Sequence, residues 1–352
     1  MNDTSLASLQ PAVWRILDAN FDRAREGLRI IEEWCRFALN HQAMANECKQ
    51  MRQELGMWHT PEIRAARDTA RDVGTTLSHP REEQRTGIEQ LLQANLCRVQ
   101  EALRVIEEYG KLYSPAISSG SKQMRYRVYA LESNLLNYRR RQLLANSRLY
   151  LVTSAAPDLL LRVEAALQGG LTLVQYRDKQ SNDTDRLAIA KQMCQLCHHY
   201  GALFILNDRV DLALAVDADG VHLGQQDISI ALARQILGAQ KIVGRSTTNP
   251  EEMERAIKEG ADYIGVGPVY ETPTKAGKAA AGIEYVQYAA KNATVPWFAI
   301  GGIDNTNLDD VLKAGAPGVA MVRAIMNAEN PTHAVQFCLG MLNRVPQVGF
   351  RL

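Results

Sequence analysis

Residues 183–224, DTDRLAIAKQMCQLCHHYGALFILNDRVDLALAVDADGVHLG, contain the pattern that decides the fold. The segment Asp183–Tyr200 has the spacing of an amphipathic helix, and Gly201 stands where the residue after a helix C-terminus is expected. Short apolar runs follow at Leu203–Asn207 and Gly220–Gly224. Helices that alternate with short apolar runs are typical of a parallel sheet covered by helices.

The same alternation extends through the chain from about Arg148 onward. Further helical segments, Pro250–Glu259 and Leu308–Ala314, again end before a glycine, Gly260 or Gly315. Eight repeats match a (β/α)8 TIM barrel, although a doubly wound sheet also alternates in this way. We predict an α/β fold with a closed barrel because the eight repeats carry no antiparallel signal. The candidate strands are Leu149–Ser154, Leu171–Tyr176, Leu203–Asn207, Gly220–Gly224, Lys241–Gly244, Tyr263–Gly267, Val295–Gly301 and Gly318–Val322.

The part of the chain before the barrel lacks this strand pattern and has helical spacing instead. Apolar residues three and four apart occur in Asn20–Phe37, Ile88–Leu112 and Gln123–Leu144. We therefore predict two domains, an all-α N-terminal domain at residues 1–145 and a TIM barrel at residues 146–352.

An internal repeat lies within the helical domain. The sequence ANFDRAREGLRIIEEW (Ala19–Trp34) aligns with ANLCRVQEALRVIEEY (Ala94–Tyr109), and nine of the sixteen positions are identical. One interpretation is a pair of equivalent amphipathic helices packed together, each with a solvated ionic face. The other is a polar pocket between the copies, since Asn, Arg and Glu recur as well. The apolar stripe of the first copy is expected at Phe21, Ala24, Leu28, Ile31 and Cys35, with Glu26, Arg29 and Glu33 opposite.

The composition is that of a globular protein with balanced charge. Of 352 residues, 46% are hydrophobic and 22% charged, and the net charge is +1. This balance argues against a broad nucleic-acid or membrane surface, so the basic triplet Arg139–Arg141 is interpreted as a solvated linker. No apolar run reaches the roughly 18 residues needed to span a bilayer, and the polar start does not resemble a signal peptide. Six cysteines are too sparse for a disulfide framework, so we expect a cytoplasmic protein. Formation of a homo-oligomer stays open.

Chemically useful side chains stand at the predicted carboxyl ends of the strands, where barrel enzymes carry their active sites. Gln175, Arg177 and Lys179 alternate at the end of the second strand and are expected to face the barrel mouth. Two cations and an amide suit a ligand with several negative charges, although a salt-bridged surface strand is the plain alternative.

Two aspartates follow neighbouring strands. Asp208 comes directly after the third strand, and Asp227 comes shortly after the fourth. Either carboxylate alone could cap a helix. As a pair opposite Arg177 and Lys179, they indicate a Mg²⁺ site, because magnesium commonly takes one or two carboxylates and completes its shell with water and phosphate oxygens.

The later strand ends carry groups that bind phosphate. The fifth strand leads to Ser246, the sixth leads to a loop at Thr272–Lys278, and the seventh ends at Gly301–Gly302. Hydroxyls, a lysine and backbone N–H groups exposed by glycine are the usual components of a phosphate site. His222 is interpreted as an interior histidine outside the site. The haem-like pattern Cys194–His198 falls within a helix and is interpreted as helix packing.

Together these strand ends resemble the thiamine phosphate synthase family over about Leu149 to Val345. The family joins 4-amino-2-methyl-5-hydroxymethylpyrimidine pyrophosphate to a thiazole phosphate and releases pyrophosphate, which implies a transferase that uses Mg²⁺. The helical domain resembles one fused ahead of the barrel in some members, including cyanobacterial ones, which implies phosphorylation of the pyrimidine monophosphate. The motifs that carry the resemblance are Gln175–Lys179, Asn207–Asp208, Val221–Asp227, Gly244–Ser246, Gly267–Pro268 with Thr272–Lys275, and Ile300–Gly302.

The resemblance implies a role for each matching position. It implies that Gln175 and Asn207 hold the aminopyrimidine and that Asp208 and Asp227 bind Mg²⁺. The implied catalytic residues, which act on the pyrophosphate, are Arg177, Lys179, Ser246 and Lys275. The residues implied to bind the thiazole phosphate are Thr272, Thr274 and Gly302, and the substrate-binding segments also include Tyr176, Asp178 and Pro273.

One position departs from the family pattern. Many members have Ser where Arg323 follows the eighth strand, which leaves that contact unassigned, although an arginine can hold a phosphate bidentately. Alternative functions are a thiazole tautomerase, another phosphate-binding barrel such as an isomerase of amino-acid biosynthesis, and a non-catalytic ligand sensor. The cations and aspartates argue against a tautomerase, because it has no pyrophosphate to bind.

Overall fold

The computed structural model describes residues 3–73, 87–271 and 280–345. The chain divides into two compact units, Met1–Leu135 and Leu136–Leu352. This division falls inside a long helix, Pro115–Asn146, and the predicted boundary lies at the C-terminal end of the same helix. A boundary at residues 145 and 146 therefore stays a prediction.

All regular secondary structure in the described part of the first unit is helical, so the prediction of an all-α N-terminal region is confirmed. Two helices, α2 (Gln42–Trp58) and α3 (Pro61–Ala65), are not predicted by the sequence pattern. The first of them begins after His41, whose Nδ1 accepts a hydrogen bond from the backbone N–H of Met44 at 3.2 Å, instead of after a Ser, Thr or Asp cap. The helices are α1 (Asp3–Glu33), α2 (Gln42–Trp58), α3 (Pro61–Ala65), α4 (Ile88–Tyr113) and α5 (Pro115–Asn146), with a π-helical turn at Trp34–Ala38.

The two copies of the repeat lie in α1 and α4, which pack against each other. A Cβ atom added to Gly27 would lie 2.6 Å from Val99 Cγ2, so the two helices approach closely at this point. The predicted interpretation as two equivalent amphipathic helices packed together is confirmed. The buried stripe is Phe21, Ala24, Leu28, Ile31 and Cys35 in the first copy, and Leu96, Val99, Leu103 and Ile106 at the equivalent positions of the second.

The recurring polar residues are paired within the first unit. Glu32 and its equivalent Glu107 are both buried, so they are not part of a solvated ionic face. Arg52 donates to Glu32 at 2.5 Å, and Arg125 donates to Glu107 at 2.9 Å. Buried carboxylates are stable only when they are paired in this way, so folding alone explains why these glutamates recur.

The second unit contains a closed barrel of eight parallel strands in sequence order, in which the last strand pairs with the first. The predicted fold class and all eight predicted strands are confirmed, with differences of a few residues at their ends. The strands are β1 (Leu149–Val152), β2 (Leu173–Tyr176), β3 (Leu203–Asn207), β4 (Gly220–Leu223), β5 (Ile242–Thr247), β6 (Tyr263–Val266), β7 (Trp297–Ile300) and β8 (Val319–Met321).

Helices follow the strands and cover the barrel. Gly201, Gly260 and Gly315 follow three of them with positive φ angles of 69°, 87° and 99°, as the sequence predicts. No helix in the three described ranges is long and apolar enough to cross a bilayer. The helices are α6 (Leu159–Gln168), α7 (Asp183–His199), α8 (Val210–Ala215), α9 (Ile230–Leu237), α10 (Pro250–Lys258), α11 (Gly282–Asn292), α12 (Leu308–Lys313), α13 (Arg323–Met326) and α14 (Pro331–Leu342).

The C-terminal part of α5 is tied to the barrel by its basic residues. Arg140 Nε lies 2.8 Å from Asp219 Oδ1, and Arg141 lies 3.3 Å from Asp262 Oδ1. Both aspartates immediately precede strands, and the buried Leu144 packs with the residues that fill the barrel. The interpretation of the basic triplet as a solvated linker is therefore wrong for Arg140 and Arg141, because both form ion pairs with aspartates of the barrel.

Candidate active site

A cavity of about 370 Å³ opens at the carboxyl ends of the strands. Its volume is within the usual range of small-molecule sites. It lies at the end of the barrel where (β/α)8 enzymes carry their chemistry. Five of the predicted site residues line it, namely Gln175, Arg177, Asn207, Ser246 and Gly302.

Side chains at the end of β2 alternate, so that some line the cavity and others point away from it. Gln175 and Arg177 line the cavity, and Arg177 forms no ion pair with any residue in the described ranges. Tyr176 is buried among the residues between strands and helices, where its hydroxyl donates to Asp178 at 3.1 Å. Because strand side chains alternate, Tyr176 faces away from Gln175. A substrate contact of Tyr176 stays a prediction.

Asp178 shapes the loop that follows β2. Its Oδ1 accepts hydrogen bonds from the backbone N–H groups of Gln180 at 2.8 Å and Ser181 at 3.0 Å. Burial alone would raise the pKa of Asp178, but the hydrogen bonds from this loop outweigh it and lower the pKa to about 2. Asp178 therefore stays ionised and holds the turn from Asp178 to Ser181, and its predicted substrate contact stays a prediction.

Lys179, Asp208 and Asp227 form a charged group beside the cavity. Lys179 Nζ lies 3.2 Å from Asp208 Oδ2. Asp227 Oδ2 accepts a hydrogen bond from the backbone N–H of Gly224 at 2.6 Å. Burial, and then the neighbouring Asp227 carboxylate, raise the pKa of Asp208, whereas the Lys179 ammonium lowers it. Two carboxylates from the loops after β3 and β4 thus lie close enough to interact.

This carboxylate pair fits a divalent cation by its donor chemistry. The two groups offer hard oxygen ligands, and their mutual repulsion would be relieved by a shared positive charge. Asp208 has a φ of 64°, so the backbone takes a left-handed conformation to present this side chain. Within the described ranges, no group of three or more His, Cys, Asp or Glu side chains is placed to hold a metal ion.

Aromatic and imidazole groups form part of the cavity floor, and sequence reasoning missed them. Tyr150 and His222 both line the cavity. Gln175 Nε2 donates to the Tyr150 hydroxyl at 2.6 Å, and His222 Nε2 lies 2.9 Å from Ser246 Oγ. The only sequence signal was the position of His222 in a strand that ends at the barrel mouth. His222 is a buried histidine with partners for both ring nitrogens, as predicted, and it also touches the cavity, so its omission from the site stays a prediction.

The ends of β7 and β8 supply the other side of the cavity. Gly301 and Gly302 have φ angles of 107° and 68°, and a Cβ atom on Gly302 would lie 2.7 Å from Tyr270 Cβ. Only glycine fits such a left-handed and crowded backbone. Arg323 lines the same cavity. The residue that departs from the family pattern therefore brings a cation to the part of the barrel where phosphate is frequently held.

Several predicted site residues lie outside the described residues. They are Thr272, Pro273, Thr274 and Lys275, which fall between the described ranges 87–271 and 280–345. Their assignment stays a prediction from the sequence.

The haem-like pattern lies on α7, away from the cavity lining. Cys194 and Cys197 are buried, in accord with the predicted helix packing. His198 Nε2 lies 2.9 Å from Asp219 Oδ2, and this interaction raises the pKa of His198 to about 10.

The fold and the cavity define a (β/α)8 barrel whose mouth combines cations, carboxylates and bare glycine backbone, as in phosphate-binding barrel enzymes. Residues 149–325 match the family described as thiamine monophosphate synthase, and residues 15–134 match the ThiD2 family. The thiamine-phosphate synthase of Nostoc sp. is 68% identical over 337 residues, which cover 96% of each chain. That of Synechocystis sp. is 65% identical over 334 residues, covering 95% of this chain and 97% of the relative.

A solved structure shows the same relationship for the barrel. Thiamine phosphate pyrophosphorylase from Pyrococcus furiosus is 36% identical, with a TM-score of 0.53, and the match covers 58% of this chain and 98% of that one. The chain therefore belongs to the thiamine monophosphate synthase family, with a ThiD2-family region ahead of the barrel. The predicted family and the predicted enzyme class, a transferase of the thiamine-phosphate synthase type, are confirmed.

Proposed function

We propose that the barrel joins the aminopyrimidine pyrophosphate to the thiazole phosphate at the cavity described above. The observation that carries this proposal is that Arg177, which has no ion-pair partner among the described residues, lies beside the amide of Gln175 and next to the group formed by Lys179, Asp208 and Asp227. An uncompensated cation in a cavity favours an anionic ligand. An amide beside it suits the hydrogen-bonding edge of a heterocycle.

In the proposed reaction, the thiazole nitrogen attacks the methylene carbon of the pyrimidine substrate. The bond between this carbon and the pyrophosphate oxygen breaks, and its electron pair leaves with the pyrophosphate. The electron-rich aminopyrimidine can stabilise positive charge at the methylene carbon. The nitrogen is itself the nucleophile, so the residues need only orient the substrates and neutralise the growing negative charge.

The charged residues have distinct tasks in this scheme. Arg177 and Lys179 would hold the pyrophosphate oxygens and stabilise the charge that develops on them. Asp208 and Asp227 would hold Mg²⁺, a cofactor that supplies further positive charge to the departing pyrophosphate. Lys179 also keeps the Asp208 side chain in position through its ion pair.

The thiazole phosphate would lie at the opposite side of the cavity, against Gly302 and Arg323. We expect Arg323→Ala to raise the KM for the thiazole phosphate about tenfold, because a charge-assisted hydrogen bond to phosphate contributes about 1.5 kcal/mol or more. The KM for the pyrimidine substrate should stay unchanged. Steady-state kinetics with each substrate varied in turn measures both constants, and equal changes in both would contradict the assignment.

The proposed reaction is tested by incubating the purified full chain with both substrates and Mg²⁺. Thiamine phosphate and pyrophosphate should appear in equal amounts, and neither should form when one substrate is left out. A tautomerase would convert the thiazole phosphate alone, and a ligand sensor would bind both substrates without releasing pyrophosphate. Either of these results would overturn the proposal.

For the helical unit, we propose phosphorylation of the pyrimidine monophosphate to the pyrophosphate. The match to the ThiD2 family supports it, as does a hollow of about 360 Å³ that Arg36, Lys49 and Glu32 help to line. The test uses the full chain carrying Lys179→Ala, with ATP, Mg²⁺ and the pyrimidine monophosphate. Formation of the pyrophosphate ester by this variant supports the proposal, and its absence from the folded protein opposes it.

We also infer that the protein works in a reducing compartment, the cytoplasm. All six cysteines are free thiols, and five of them are buried, which supports this proposal.

A further inference from the structure

A buried chain of hydrogen bonds joins two residues of the cavity, Gln175 and Ser246. Gln175 Nε2 lies 2.6 Å from the Tyr150 hydroxyl, which lies 2.7 Å from the Tyr263 hydroxyl. The Tyr263 hydroxyl lies 3.0 Å from His222 Nδ1, and His222 Nε2 lies 2.9 Å from Ser246 Oγ. Five side chains from five different strands therefore form one continuous polar path.

Tyr263 is the central member of this path and does not line the cavity. It is fully buried, and its ring packs against Tyr150 and Phe298 with centroid distances of 5.8 and 5.9 Å. A Cβ atom on Gly244 would lie 2.2 Å from the Tyr263 ring, so β5 has a glycine where this ring needs space. A phenylalanine would fill the same space, and the hydroxyl is needed only for the hydrogen-bonded path.

With a neutral His222 the path can run in two directions, because each tyrosine hydroxyl and the imidazole then has one proton to donate. Burial raises the pKa of Tyr150 and of Tyr263, so each keeps one hydroxyl proton near neutral pH. In the forward direction the amide N–H of Gln175 donates to Tyr150, which donates to Tyr263. Tyr263 then donates to His222 Nδ1, and the proton on His222 Nε2 is donated to Ser246. In the reverse direction every donor becomes an acceptor, and the Gln175 carbonyl oxygen accepts from Tyr150.

The direction of the path sets what a ligand meets in the cavity. In the forward direction Gln175 offers its carbonyl oxygen and a second N–H to the cavity, and Ser246 has its proton free to donate. In the reverse direction Gln175 offers only N–H groups, and Ser246 offers a lone pair in place of its proton. The hydrogen-bonding patterns at the two ends are therefore coupled.

We propose that Tyr150, Tyr263 and His222 are positioning residues that hold Gln175 in the forward orientation, which matches a 4-aminopyrimidine edge, and Ser246 as a donor. This inference rests on the proposed function. A 4-aminopyrimidine presents an N–H donor beside a ring-nitrogen acceptor, and the forward amide presents the complementary acceptor and donor. A 4-oxopyrimidine presents the opposite pattern, so the path makes the site discriminate between the two.

The test compares two binding constants in the full chain. Calorimetry measures Kd for the 4-amino pyrimidine pyrophosphate and for its 4-oxo analogue. The ratio of these two dissociation constants reports the orientation of the Gln175 amide. Tyr263→Phe should reduce the wild-type preference for the amino compound about fivefold to tenfold, the effect of one hydrogen bond. Tyr150→Phe should give the same reduction, and the double variant should give no further loss, because either change breaks the same path.

Tyr285→Phe is the matched control. The buried Tyr285 hydroxyl donates to Thr247 Oγ1 at 2.6 Å in the layer outside the barrel. This variant should keep the wild-type ratio. An unchanged ratio in both path variants, or an equal change in the control, overturns the proposal.

The binding assay separates this inference from the proposed reaction. A wild-type chain that prefers the amino compound without forming thiamine phosphate would defeat the reaction but leave the path supported. A wild-type chain that binds neither pyrimidine would overturn both.

Discussion

Replacing Asp208 with Asn is expected to lower kcat/KM for thiamine phosphate formation about a hundredfold or more. The carboxylate lies 3.2 Å from Lys179 and interacts with Asp227, so its loss removes half of the proposed cation site. Removing one preorganised electrostatic group typically costs about two to three decades in rate. Asn is the suitable replacement because it tolerates the positive φ of 64° at this position. Steady-state kinetics at saturating Mg²⁺ measures the effect.

Asp211→Asn provides the control for this change. Its carboxylate pairs with Arg209 at 2.6 Å on the surface, and 65% of the side chain is exposed. Its loss should leave kcat/KM within about twofold of the wild type, since exposed ion pairs contribute little. Near-normal activity in a folded Asp208→Asn protein would show that the proposed role of Asp208 is misassigned.

Replacing Lys179 with Ala is expected to lower kcat and kcat/KM together, each about a hundredfold. The Lys179 side chain is 59% exposed, and we assign its ammonium group to the charge that grows on the departing pyrophosphate. A group that acts mainly in the transition state changes both constants equally, whereas a group that only binds substrate changes KM alone. Initial rates with the pyrimidine substrate varied separate the two cases.

Lys313→Ala is the matched control, because Lys313 is an exposed lysine paired with Asp309 at 2.6 Å on α12. It should behave like the wild type in both constants. A rise in KM without any fall in kcat for Lys179→Ala would contradict a transition-state role.

Local physical signals explain why the fold could be predicted from the sequence. The apolar run Leu203–Asn207 is confirmed residue for residue as β3. Gly201 ends the preceding helical segment with a positive φ of 69°, which side chains other than glycine rarely adopt. The stripe that includes Phe21 and Leu28 is buried because residues three and four apart share one face of a helix.

The gathering of the site residues could also be predicted. A parallel barrel brings the carboxyl ends of all its strands to one rim, so Gln175 and Ser246 meet at one cavity although they are far apart in sequence. Tyr176 shows the limit of this reasoning. It belongs to the same motif as Gln175. Because side chains alternate along a strand, however, Tyr176 points into the layer between the strands and the helices.

Contacts across the barrel could not be predicted from local patterns. Tyr150 and Tyr263 are 113 residues apart, and their hydroxyl groups meet only because the barrel closes. In sequence each is an aromatic residue in an apolar run, as a core residue would be. Arg140 likewise belongs to a basic triplet whose partner, Asp219, is defined by the tertiary fold.

Binding of pyrophosphate to the full chain tests the proposed metal-assisted site most directly, without turnover. Calorimetric titrations would be made with Mg²⁺ and with EDTA, first on the wild type and then on Asp227→Asn. We expect Mg²⁺ to tighten binding to the wild type at least about tenfold, and this difference to vanish in the variant, since magnesium joins carboxylates to phosphate oxygens. Equal affinity with and without Mg²⁺, or an undiminished Mg²⁺ effect in Asp227→Asn, would contradict the proposed metal site.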